Sequence, residues 1–181
     1  LYVGKLALER GVVPLLAAFA RTVGQRSDWN LVFAGTGPLK AELRAMADRL
    51  GVSDRVHWLE PRDVELPGLL GASTALAIPA LSNEVVGRHA ARALACGLPI
   101  LAADLPRLRV FVEPEQNGLL VREGSVEAWA EAIQRTASSP MTRTRWARRS
   151  REIALERHSW PAVAARFEER FAEARARVEA K

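Results

Sequence analysis

The sequence is poor in cysteine, histidine and aromatic residues, and each shortage removes a class of function. A single cysteine, Cys96, cannot build a disulfide framework, which makes a reducing, cytoplasmic setting the expectation. With three histidines in the chain, no His/Cys/Asp cluster has metal-ligand spacing, so no metal or other cofactor is expected. No apolar run approaches the roughly 20 residues of a membrane span, and no signal peptide is legible. Neither G-x-G-x-x-G nor a Walker A pattern occurs, which argues against a dinucleotide oxidoreductase and a P-loop NTPase. Apart from Trp146, no aromatic residue interleaves with the C-terminal arginines as a platform for bases, so no nucleic-acid partner is expected.

What is present suits a folded domain: 181 residues, 49% of them hydrophobic, enough for one core. The net charge of +5 is unevenly spread. From Arg135 to Lys181 there are 12 basic and 6 acidic side chains; residues 1–134 hold 14 and 15. The basicity therefore belongs to the C-terminal quarter, where a charge run is expected to be a solvated helix face.

The chain opens on Leu1-Tyr2-Val3, which reads as a core strand with no initiating Met, so it is expected to be a piece of a longer protein. Further short apolar strands are predicted at Leu31–Ala34, Val56–Leu59, Ala75–Ile78, Pro99–Ala102 and Gly118–Val121. Helical spacing runs from Val12 to about Gln25, through Leu39–Leu50, around Leu66–Leu70 with Pro67 as a disturbance, and from Gly87 to Cys96. Three more helices are expected over Val126–Ala137, Met141–Arg157 and Pro161–Ala180. Strands that are apolar throughout and alternate with helices predict an α/β doubly wound parallel sheet of about six strands, covered on both faces.

In such a sheet, ligands bind beyond the carboxyl ends of the strands. That geometric rule selects the loops Gly4–Gly11, Gly35–Pro38, Glu60–Asp63, Pro79–Gly87 and Asp104–Arg109. Glycine-bearing loops that feed helices suit a phosphate, because backbone N–H groups and the helix dipole favour an anion. Lys5 and Arg10 add mobile positive charge to the first loop.

Taken in order, these segments resemble a family. Val3-Gly4-Lys5 through Arg10-Gly11 looks like the opening of the donor-binding domain of retaining GT-B glycosyltransferases, glycosyltransferase family 4. Phe33-Ala34-Gly35-Thr36-Gly37-Pro38 is similar to its "vGdGP" loop, and Arg55–Leu59 to its "RV.flG" strand. Ala93–Pro99 and Asn117–Val121 resemble its "EAmAcGlPv" and "nGllv" segments. The resemblance implies a Rossmann-like nucleotide-sugar-binding domain over 1–160, a C-terminal helix over 161–181, and an N-terminal acceptor domain outside this chain. It implies transfer of a sugar, with retention, from a nucleotide-diphosphate sugar and without a metal, by a cytoplasmic enzyme that works at the membrane surface in some members. It assigns the diphosphate to Lys5 and Arg10, with Gly4, Gly35 and Gly37 shaping the loops, and the base to Glu60, Pro61 and Arg62. It sets Glu84 against the donor sugar and aims the helix that starts after Val86, at Gly87, towards a phosphate.

Three departures cluster at one place. The second glutamate of the family's E-x7-E motif, which usually holds the ribose, is Arg92, and an arginine accepts no hydrogen bond. Val85-Val86-Gly87 replaces Gly-Phe-Gly, and Pro106–Val110 replaces a Gly-Gly-x-Pro-Glu segment. These changes predict either a more anionic or differently shaped donor, or loss of catalysis. The alternatives are a degenerate binding or assembly module and a GT-B nucleotide-sugar epimerase. Plainer roles are expected elsewhere: His89 on a helix surface, His57 and His158 structural, Cys96 a buried inert thiol, and Trp58, Trp129 and Trp160 packed.

Overall fold

The computed structural model describes residues 1–23, 28–60, 62–82 and 87–179. Six strands form one parallel sheet: β1 (Tyr2–Val3), β2 (Leu31–Ala34), β3 (Val56–Leu59), β4 (Leu76–Ile78), β5 (Ile100–Ala103) and β6 (Gly118–Val121). The order across the sheet is β3-β2-β1-β4-β5-β6. Tyr2 of β1 lies opposite Phe33 on one side and Ala77 on the other. Chain direction across the sheet thus reverses between β1 and β4, and right-handed crossovers on either side of that point send helices to opposite faces.

The helices are α1 (Val12–Val23), α2 (Lys40–Arg49), α3 (Leu66–Gly71), α4 (Gly87–Ala95), α5 (Val126–Ser138), α6 (Pro140–Ile153) and α7 (Trp160–Glu179). α1 packs on α2 and α5, and α4 packs on α3 and α6, which gives the covering layers. Leu15, Leu16 and Phe19 of α1 are buried, as are Ala90, Ala93 and Leu94 of α4. Trp129 of α5 and Trp146 of α6 are the bulkiest fully enclosed side chains. Ser125 and Ser139 cap α5 and α6 by accepting the amides of Ala128 and Thr142, each at 3.2 Å.

Several expectations change. Pro67 does not disturb α3, because it occupies the first turn, where no intrahelical N–H bond is lost. The helix expected over Met141–Arg157 is α-helical only to Ile153 and finishes as a π-helical turn, Ala154–His158. The chain then turns extended at Ser159, ahead of Pro161, and restarts as α7. Cys96 is exposed rather than buried, since it follows the last residue of α4 where the helix meets solvent. Trp160 is 87% exposed and packs little; it begins an apolar row on α7 with Phe167, Phe171 and Val178. The expected helix ends at Gln25 and Ala180 lie outside the described residues.

The C-terminal arginines are not simply a solvated face. Arg143 donates to the carbonyls of Thr136 and Ala137 at 2.9 and 2.7 Å, and Arg151 to that of Ala95 at 2.6 Å. Both satisfy carbonyls that a helix leaves open at its C-terminus, here those of α5 and α4. Arg149, three-quarters buried, pairs with Glu113, Glu152 and Glu156, and Arg157 also pairs with Glu113. The indole of Trp146 donates to the carbonyl of Glu115 at 2.9 Å. Much of the positive charge thus fastens α6 to the β5–β6 connection and to neighbouring helix ends.

Candidate functional site

The reversal point between β1 and β4 opens at the carboxyl ends of the strands into a cleft of about 210 Å³. From β1 and the loop after it come Tyr2, Val3, Gly4, Lys5 and Arg10; from β4 and its loop come Ala77, Ile78, Pro79 and Ala80; from the first turn of α4 come Arg88 and His89. The floor is apolar strand and the rim is cationic.

Backbone contacts hold the first loop rigidly. A short 3-10 turn, Leu8–Arg10, ends at Gly11 with φ +68°, a left-handed conformation that suits glycine. A Cβ at Gly11 would lie 1.7 Å from the Pro79 carbonyl oxygen, so this glycine is what lets the β1 and β4 loops touch. The Leu81 amide donates to the Glu9 carbonyl at 3.0 Å and closes the same junction. On the other side, the Leu6 amide donates to Thr36 O at 2.8 Å, and the Leu39 amide to Leu6 O at 3.0 Å. A Cβ at Gly35 would meet Gly4 O at 1.9 Å, so the Gly35–Pro38 loop packs directly on the cleft loop. The Tyr2 hydroxyl donates to the Lys5 carbonyl at 2.7 Å, and burial raises its pKa and keeps it neutral.

The charged groups are less satisfied than the backbone. Arg10 Nε and His89 Nδ1 are buried and have no hydrogen-bond partner among the described residues. Burial, followed by Arg88 and Arg92, holds the His89 pKa below the usual imidazole range; Asp63 opposes this and Arg10 adds to it. Two orphaned polar atoms from different elements therefore border one cleft, where buried polar atoms ordinarily find partners.

The predicted residues divide accordingly. Gly4, Lys5 and Arg10 come together in the cleft. Gly35 and Gly37 support it from behind, Gly37 against the backbone of Leu6. Gly87 begins α4, and its missing side chain makes room for the Phe111 ring, 2.4 Å from where a Cβ would stand. Glu60 and Arg62 sit on the β3–α3 loop, where Glu60 pairs with Lys40 and Arg62 with Glu65 at 2.7 Å. Arg92 pairs across to Asp63 of that loop at 3.2 Å. Arg109, which ends the candidate loop Asp104–Arg109, is engaged by Asp104 at 2.7 Å. Pro61, Glu84, Val85 and Val86 lie outside the described residues.

His89 is the residue that sequence reasoning misplaced, because it lines the cleft and does not face outward. The signal lay in the helical spacing: His89 stands four residues before the fully buried Ala93, on the edge of the inward face. Among the described residues, no group of three His, Cys, Asp or Glu side chains could hold a metal ion, and no helix is long and apolar enough to cross a membrane.

The comparisons agree with this architecture. The sequence profile described as "Glycosyl transferases group 1" matches residues 1–153. A D-inositol 3-phosphate glycosyltransferase of Corynebacterium glutamicum (strain R) is 34% identical over 173 residues, which is 92% of this chain and 41% of that protein. The chain thus spans about two-fifths of that relative's length. Among solved structures, sucrose-phosphate synthase from Thermosynechococcus elongatus superposes with a TM-score of 0.80 at 27% identity, covering 97% of this chain and 45% of the other. HepE of Anabaena, in complex with UDP, shares the fold with a TM-score of 0.83 at 24% identity, covering 95% of this chain and 48% of that one. With its Rossmann-like sheet and a profile match over most of its length, the chain belongs to the group 1 glycosyl transferases.

Proposed function

We propose that this chain binds a nucleotide-diphosphate sugar at the β1/β4 cleft and forms the donor-binding part of a glycosyltransferase that transfers the sugar with retention. The observation that carries this reading is the convergence of Lys5 and Arg10 on one rim, with the Arg10 Nε buried and unsatisfied among the described residues. A diphosphate supplies the acceptors those groups lack. As the glycosidic bond to the donor breaks, negative charge builds on the departing nucleoside diphosphate. Lys5, Arg10, the backbone at Gly4 and the N-terminus of α4 at Gly87 stabilise it without a metal. Glu60 and Arg62 flank the base. The acceptor is held by an N-terminal domain, so the chain alone is expected to transfer no sugar. The UDP of HepE and the glycosyltransferase activity in the name of the C. glutamicum relative support the donor class. A cytoplasmic setting with α6 and α7 near anionic lipid fits the arginines that remain at the surface.

The Arg92–Asp63 pair favours a second reading. It occupies the position from which the family's glutamate would hold a ribose, as a binding module that has lost catalysis would allow. A thermal-shift panel of UDP, GDP, ADP and inorganic phosphate separates the two. A ligand at 100 times its Kd stabilises the fold by about 2.7 kcal/mol, and a nucleoside diphosphate is expected to do so. No shift with any of the three nucleotides leaves the module as the reading.

A further inference from the structure

The inference here rests on the diphosphate reading of the cleft and concerns His89. Its side chain belongs to the first turn of α4, close to a helix N-terminus that already favours an anion. Its Nδ1 is buried without a hydrogen-bond partner among the described residues, and so is the Nε of Arg10, on the same cleft. The charged groups around the ring are Arg88 and Arg92 on its own helix, Arg10 from the loop after β1, and Asp63 from the loop after β3. Lys5 lines the same cleft. Among the described residues, cations around the ring outnumber the one carboxylate, Asp63, which is itself engaged by Arg92.

We propose that His89 is a donor-binding residue of this cleft, with its buried Nδ1–H donating to an anionic diphosphate oxygen beside Arg10, and that seating the diphosphate draws a proton from solvent onto the imidazole. Without an anion, burial and the guanidinium groups keep the ring neutral, with one N–H to donate. A bound diphosphate offsets much of that positive field, and the neutral ring gains a second proton with no bond made or broken elsewhere. The sign follows from linkage. A group that binds protons more tightly in the complex makes affinity rise as pH falls through its bound-state pKa, levelling below its free-state pKa. The cleft thus prefers its anion most strongly at mildly acidic pH, through a side chain that no part of the donor-binding reading otherwise uses.

UDP-glucose is the suitable probe, because its diphosphate is doubly esterified and does not titrate near neutrality. Calorimetric titrations of the chain from pH 5.5 to 8, in two buffers of different ionisation enthalpy, measure Kd and the protons taken up. Wild type is expected to bind more tightly towards pH 5.5 and to take up a fraction of one proton. His89→Asn, whose amide N–H replaces Nδ1–H, should bind with no proton uptake and a flat pH profile. His89→Ala should be flat as well and weaker by roughly tenfold at pH 8, the size of one lost hydrogen bond to a charged group. If both variants keep the wild-type pH profile and proton uptake, the role of His89 is overturned while the diphosphate reading stands. If wild type binds no UDP-glucose at any pH, both fail.

Discussion

Gly11 and Gly51 have the same backbone conformation, φ +68°, but opposite surroundings. A Cβ on Gly11 would stand 1.7 Å from the Pro79 oxygen and 2.7 Å from its carbonyl carbon, whereas a Cβ on Gly51 would meet nothing within 4 Å. Gly51→Ala therefore carries only the left-handed backbone penalty, about 1–2 kcal/mol. Gly11→Ala carries that penalty and must also part the two loops that form the cleft. Backbone is the obstacle, and it cannot rotate away as a side chain can. The combined loss is expected to be about 3 kcal/mol or more, within the upper range for single substitutions. Urea unfolding monitored by tryptophan fluorescence measures both losses as shifts of midpoint at constant m. Nucleotide affinity adds a second readout: Gly11→Ala should weaken UDP binding by displacing Arg10, and Gly51→Ala should leave it unchanged. Equal losses of stability for the two variants, with UDP binding intact in both, would refute the account of Gly11 as the joint of the cleft.

Other outcomes follow from packing and charge. Trp129 is fully buried, so Trp129→Ala should cost about 3–5 kcal/mol in the same unfolding assay. Its indole N–H has no partner among the described residues, so Trp129→Phe should retain most of that stability. Glu113 has its pKa lowered, chiefly by its hydrogen bond from Arg149 and further by Arg157, so it stabilises the fold above the unfolded carboxylate pKa of about 4.3 and ceases to as pH falls through its folded value. Glu113→Gln should accordingly reduce stability at pH 7 and flatten its decline below pH 4.3, read by unfolding midpoints across pH. Arg10→Ala and Lys5→Ala should each weaken UDP binding by roughly 10- to 100-fold, the range for one charge-assisted hydrogen bond, with little change in melting temperature.

The strands were legible because each is a short apolar run ended by a glycine, a proline or a polar stop. Leu31–Ala34 stops at Gly35 and Val56–Leu59 at Glu60, and both match the strand bounds. The cleft was legible for a topological reason: the β1 loop must border the reversal point, so Lys5 and Arg10 had nowhere else to converge. What stayed hidden depended on which side of a helix or loop a polar group finds its partner. The arginines of α6 read as a solvated run because a charge pattern does not reveal which side chains will meet helix-end carbonyls, those of the preceding α5 for Arg143 and of α4, far back in the chain, for Arg151. Arg92 and Arg109 stood out at the predicted ligand-binding end of the sheet, but the sequence does not show that Asp63 and Asp104 pair with them. Cys96 shows the reverse error: its neighbours are apolar, yet it follows a helix end at which the chain faces water.

Whether the β1/β4 cleft holds a diphosphate can be read from a crystal structure of the chain grown with saturating UDP. Both phosphates are expected between Lys5 and Arg10, with Arg10 Nε at hydrogen-bond distance, about 2.7–3.2 Å, from a phosphate oxygen. UDP bound elsewhere on the chain, or an empty cleft at saturating UDP, would contradict the diphosphate reading.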